Sequence, residues 1–207
     1  MTVSNNRTRD ERIRRLKSSG LYKDFREIVR KKSINEDAAR TILINNRGRL
    51  QKDDIRQMFM LIDEPYPYHE HGKLVRRPWF GRLIKPNALR ILNEDELRIN
   101  QWFHQASDEL IAETDRIDIL RMATYKIKGL DVGFITLIFY LMDKQRYLIW
   151  FKSLHEGLRM IYPDIEKFNG KSNQYVDYNR KLTEFAMIYG FDHTELDWVL
   201  STGLLKC

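Results

Sequence analysis

One stretch limits what this chain can fold into more than any other: residues 125–150, reading YKIKGLDVGFITLIFYLMDKQRYLIW. From Phe134 to the closing Asp143 it is apolar apart from Thr136 and that aspartate. Such a run has to be buried, yet it is far shorter than the roughly 20 residues a helix needs to span a bilayer. Gly129 and Gly133, four residues apart, stand before it and mark a tight backbone turn into a buried helix. Backbone N–H groups at such a helix start can receive an anion. Whether that anion is a DNA phosphate is the main functional question the stretch raises.

The rest of the chain favours helices too. Its 207 residues suffice for one domain or two small ones with a real core. Only five Pro and ten Gly interrupt a sequence rich in Leu, Ile, Lys, Arg and Glu, which argues against a sandwich or barrel. The net charge of +7 is unevenly placed. Residues 1–52 hold fifteen Lys or Arg against six Asp or Glu, a net +9, whereas 93–125 carry a net −5. A cationic first quarter points to nucleic acid or another polyanion. Cys207, the single cysteine, rules out an internal disulfide and a Cys-based zinc site, and fits a reducing compartment. The first eighteen residues do not resemble a signal peptide, so a cytoplasmic protein with no membrane partner is expected.

In chain order, a basic arm should become helical over 10–17, and 21–32 forms an amphipathic helix through Leu21, Phe25, Ile28 and Val29. Ser33 with Glu36 reads as a capping box opening a new helix to about Asn45, stopped by Asn46-Arg47-Gly48. A third helix covers 51–62; simple helix packing is a better reading of this pair than a helix-turn-helix. Residues 63–77, with Pro65 and Pro67, read as a long loop, and 79–87 re-enters the core. Asn93 with Glu96 caps a helix over 94–103, and 107–123 forms another whose acidic side faces water. After the buried helix, 147–151 is extended and a helix starts near Ser153. Residues 172–189 form a long helix closed by Gly190, and 194–200 a short one capped by Asp192. The expected fold is all-α, with about eight helices, a helix-hairpin-helix-like element and a minor extended segment near 74–92. Its organisation is a basic arm and helices over 1–62, a loop over 63–78 and a helical domain over 79–207.

Catalytic chemistry is hard to find. There is no G-x-S-x-G elbow, and no Gly-rich phosphate loop ending in Lys-Ser/Thr. His69 and His71 are spaced for a metal on an extended strand, but His155 and His193 lie far along the chain. Surface or supporting histidines, with no metal and no cofactor, are the better reading. Around Trp79 and Phe80, Arg76, Arg77, Arg82 and Lys85 interleave cations with aromatics, a pattern suited to a phosphate backbone and a stacked or flipped base.

Residues Ile127-Lys128-Gly129-Leu130-Asp131 resemble the hairpin of helix-hairpin-helix DNA-binding proteins and base-excision glycosylases. Asp131 stands where that pattern has its second glycine, and its carboxylate would repel a phosphate. The glycosylase resemblance implies a catalytic Asp after the hairpin helix, and 147–152 (YLIWFK) holds none. A second resemblance rests on residues 129–151, His155-Glu156-Gly157-Leu158 and 185–200 (FAMIYGFDHTELDWVL). These look like a helical module in N-terminal recognition regions of methylcytosine-type restriction GTPases and related prokaryotic proteins. It implies a non-catalytic DNA-recognition module of a restriction or defence system, with duplex DNA and a motor or nuclease subunit as partners. The expected backbone contacts are Arg12, Arg14, Arg15, Arg76, Arg77, Arg82, Lys85, Lys126, Lys128, Gly129 and Gly133, with Tyr66, Tyr68 and Trp79 against bases. The alternatives are a divergent helix-hairpin-helix glycosylase or lyase, and an interaction protein for RNA or an acidic protein.

Overall fold

The structure, a computed structural model, describes residues 2–70, 73–78, 83–122 and 124–200, with side-chain surroundings for those from 9 onward outside 66–82. The described chain is mainly helical. In order it forms α1 (Thr2–Ser18), α2 (Gly20–Asn45), α3 (Lys52–Ile62), β1 (Pro65–Glu70) and β2 (Lys73–Pro78). Then follow α4 (Lys85–Leu92), α5 (Glu96–Ala106), α6 (Glu113–Arg121), α7 (Val132–Met142), α8 (Lys152–Ile161) and α9 (Ser172–Tyr189). A 3₁₀ turn (His193–Glu195) and the one-turn α10 (Leu196–Trp198) close it.

The buried helix is the hub. All eleven residues of α7 are buried, and they join one hydrophobic core that runs from Ile13 on α1 to Leu200. That core includes Phe25, Leu43 and Phe59 from the first 62 residues and Trp102, Phe139 and Trp150 from the remainder. Thr136, the polar residue within the run, is satisfied locally: its hydroxyl donates to Val132 O at 2.9 Å and accepts from Trp150 N–H at 2.9 Å. Residues 147–150 thereby lie against α7 as an extended, fully buried segment, with the Tyr175 and Tyr178 hydroxyls donating to Leu148 O and Ile149 O.

Four expectations need correction. Ser33 does not cap a helix, because α2 runs unbroken for 26 residues. Its real cap is Ser19, whose side chain accepts from Tyr22 N–H. Ser33 receives the Lys144 ammonium at 3.0 Å instead. The cap of α5 is Asp95, which accepts from Arg98 N–H, while Asn93 ends α4. The 107–123 helix is shorter, beginning only at Glu113. Finally, 63–77 is not a loop. Its two strands pair antiparallel, with Tyr66 opposite Arg77 and Tyr68 opposite Val75. A two-stranded hairpin has only edges, so Pro65 and Pro67 can be accommodated where a central strand would reject them.

Two more differ: α1 already begins at Thr2 rather than near residue 10, and 85–92, expected within a minor extended segment, is the helix α4. The boundaries of α3, α7, α8 and α9 hold within two residues. The α9 helix ends at Tyr189, with Gly190 at φ 62° in the left-handed region that favours glycine. Asp192 caps the 3₁₀ turn, and no described helix is long and apolar enough to cross a membrane.

Candidate functional site

The turn before α7 is bonded and packed from within the chain. Gly129 has φ 103°, and Leu130 N–H bonds Ile127 O at 3.1 Å, so the glycine serves the turn. Three of the helix's first four donors are bonded to Asp131, whose side chain takes Val132 N–H at 2.7 Å. Asp131 O accepts from Phe134 N–H and Ile135 N–H. Gly133 is buried, and a methyl group on it would come within 3.0 Å of a Leu83 methyl and 3.6 Å of Phe151 Cβ. An arriving anion would meet a carboxylate and apolar packing. Gly133 is a packing glycine here.

The lysines of that turn fare differently. Lys126 and Lys128 are exposed on either side of buried Ile127. Lys85, at the start of α4, is exposed as well. A groove of about 710 Å³ between α3 and α4 is lined by Lys85, Arg56, Asp63, Glu64, Phe59 and Ile84, so Lys85 stands among charges of both signs. Arg76 and Arg77 lie on β2, and Tyr66 and Tyr68 on β1. Their side chains, like Trp79 and Arg82, lie outside the described residues.

The basic first quarter divides in two. One set of cations builds the fold. Lys17 reaches the Tyr189 and Gly190 carbonyls at the C-terminus of α9, where a cation suits the helix dipole. Arg40 donates to Met142 O at 2.9 Å, Arg47 pairs with Asp108 at 3.3 Å, and Arg26 pairs with Glu195 at 3.2 Å. The other set faces solvent: Arg12, Arg14 and Arg15 on α1, and Lys23, Arg30 and Lys31 on α2. These six make no ion pair among the described residues, although Asp24 and Glu27 share the surface of α2.

Sequence reasoning missed a buried ionic cluster. Lys32 is only 2% exposed, and its ammonium sits 2.8 Å from Glu36, 3.6 Å from Asp197 and 3.4 Å from Thr194 O. The Tyr140 hydroxyl donates to Glu36 at 2.9 Å, and Lys144 reaches Glu36 at 3.6 Å and Asp37 at 2.6 Å. Burial opposes the Lys32 charge, but Asp197 and Glu36 outweigh it and hold its pKa above the ordinary lysine value. Burial, reinforced by the same carboxylates, pushes the Tyr140 hydroxyl far up. A signal for it exists in the sequence: Lys32 and Glu36, four apart, fall on the buried stripe of α2 with Phe25, Ile28 and Val29. An adjoining cavity, lined by Tyr140, Tyr178, His193 and Asp197 among others, measures about 10 Å³. That is about one water's worth of room, and it admits no substrate.

His155 is no surface residue. Trp150 Nε1–H donates to His155 Nδ1 at 3.0 Å, which leaves Nε2–H to donate to Glu166 O at 2.7 Å. The ring also stacks on Tyr178, so this imidazole is a core group. Among the described residues no His, Cys, Asp and Glu cluster could hold a metal.

No protein-family model, curated protein or solved structure matches the chain.

Proposed function

We propose that this chain is a non-catalytic nucleic-acid-binding module that grips the phosphate backbone of duplex DNA through α1 and α2. One observation carries the reading: six exposed Arg or Lys on two consecutive helices lack acidic partners among the described residues, while other basic residues nearby are committed to packing. Unpaired cations along one exposed stretch are what neutralises phosphates and releases counterions. Lys126 and Lys128 offer a second cationic point. The β1–β2 hairpin, with Tyr66 opposite Arg77, is the segment proposed to approach the bases.

The glycosylase alternative has less in its favour. Its catalytic carboxylate would fall in 147–152, and Tyr147, Leu148, Ile149 and Trp150 are buried against α7. In a restriction or defence setting the module would recognise DNA, and a motor or nuclease subunit would supply catalysis.

Fluorescence anisotropy with a labelled duplex, across roughly 50–200 mM salt, tests the proposal. Affinity should fall steeply with salt. Replacing Arg12, Arg14 and Arg15 by Gln should flatten the log–log slope by about 0.9 for each phosphate that is no longer neutralised. A protein that binds neither plain nor base-modified duplex at the lowest salt overturns the reading. Equal or tighter binding to RNA moves it to the RNA alternative.

A further inference from the structure

The segment after α9 carries three carboxylates in six residues, Asp192, Glu195 and Asp197, and two of them face cations of α2. Asp197 meets buried Lys32, which belongs to the core. Glu195 meets Arg26, which lies on the solvent side of the helix with Lys23 three residues before and Arg30 four after. The two partners are held very differently. Arg26's side chain is 67% exposed, whereas Glu195's is 5% exposed. The carboxylate is fixed by two further bonds, from the Tyr22 hydroxyl at 2.9 Å and Asp192 N–H at 3.1 Å. The backbone around it is anchored where Trp198 stacks on Phe25 at 3.9 Å between ring centroids.

We propose that Glu195 is a built-in acidic brake on the nucleic-acid-binding face: it withholds Arg26 from phosphate and repels a backbone approaching between Lys23 and Arg30. This rests on the nucleic-acid reading above. A phosphate can reach the exposed guanidinium, but it must do so beside a carboxylate that cannot swing away. The segment stays docked throughout, because Lys32 and the Phe25–Trp198 stack hold it independently of Arg26. Binding is thus weaker, and less salt-sensitive, than the cations of α2 alone would give.

The test compares the whole protein with E195Q on a short mixed-sequence duplex across a salt series. Gln keeps an acceptor for Tyr22 and Asp192 but removes the charge. E195Q should bind about threefold tighter near 0.1 M salt and steepen the slope by about 0.9, the worth of one more neutralised phosphate. R26Q/E195Q should lose that gain. A second comparison leaves Glu195 intact: R26Q in the native background should weaken binding less than R30Q. Wild-type binding with no gain in E195Q, or equal losses in R26Q and R30Q, overturns the brake and leaves the nucleic-acid reading standing. If E195Q fails to fold, the R26Q and R30Q comparison decides. Absence of any wild-type binding overturns the nucleic-acid reading itself, and the brake with it.

Discussion

Two helices reach the centre of this molecule by opposite means. α7 is apolar almost throughout, and each of its eleven residues is buried. α2 is amphipathic and more than twice as long, and it buries a lysine and a glutamate along with its apolar stripe. α7 is stabilised by water exclusion, which is additive and indifferent to partner identity. α2 is held against the C-terminal segment by charges that need particular partners more than 100 residues away: Tyr140 for Glu36 and Asp197 for Lys32. Burial of the first kind tolerates neighbours of about the right shape. Burial of the second kind is tolerated only while complete, since an unpaired interior charge is very costly.

Single truncations should expose that contrast. Phe139 on α7 is fully buried, meets the Tyr147 and Tyr175 rings, and lies 4.0 Å from the Arg116 guanidinium. Phe139→Ala should destabilise by about 3–5 kcal/mol in a urea titration. Lys32→Met, though nearly isosteric, should cost a similar amount, about 3–5 kcal/mol, because it removes the buried ammonium that faces both Glu36 and Asp197. The two losses differ in how they can be repaired. Adding Glu36→Leu, Tyr140→Phe and Asp197→Leu to Lys32→Met should recover most of the loss, whereas no polar change elsewhere restores Phe139. If the fourfold variant is no more stable than Lys32→Met, the cluster contributes more than paired charge.

A smaller effect probes the same seam from α8. A methyl group on Gly157 would stand 2.5 Å from Leu200 O, so the backbone after α10 would have to move. Gly157→Ala should destabilise by about 1–3 kcal/mol through overpacking. Hydrogen exchange should then show weaker protection of the Leu196 and Trp198 amides, with those of α7 unchanged.

The contrast also explains which parts of the fold are legible in the sequence. The α7 run can be read because water exclusion acts residue by residue, and a run of apolar side chains declares it. The α9 helix is equally plain, since its 3.6-residue period ends on a glycine with a local reason to be there. Ser33 misleads because a Ser-x-x-Glu pattern normally satisfies free N–H groups at a helix start. Here Glu36 is turned inward to Lys32 and Tyr140, and Tyr140 lies outside any local window. The N-terminus of α7 reads as an anion site because nothing in its own stretch announces Leu83 and Phe151, which pack against Gly133. Net charge is a partial guide. It locates the basic quarter but cannot separate Lys17, Arg40 and Arg47, which hold the fold, from Arg12, Arg14 and Arg15, which do not.

The gentlest probe of the α2 seam is acid. Partial burial pushes the Asp192 carboxyl up, but the Thr194 N–H and hydroxyl, with His193 and Lys144 nearby, outweigh it and hold it below the ordinary value of 3.8. A folded pKa below the unfolded one means the carboxylate's stabilisation is complete above the unfolded value. It is lost as the pH falls through the folded one. Asp164 beside Lys181 and Glu156 beside Arg159 are lowered in the same sense, but both carboxylates are exposed and their pairs worth little. Asp192→Asn keeps a capping oxygen and removes only the charge, so it should lower stability at neutral pH by about 0.3–1 kcal/mol, the usual worth of a carboxylate at a helix start. The gap between variant and wild type should stay level down to about pH 5 and close towards pH 3. A gap that persists undiminished into acid would mean that Asp192 acts through its shape rather than its charge, and that the seam's ionic character ends at Lys32.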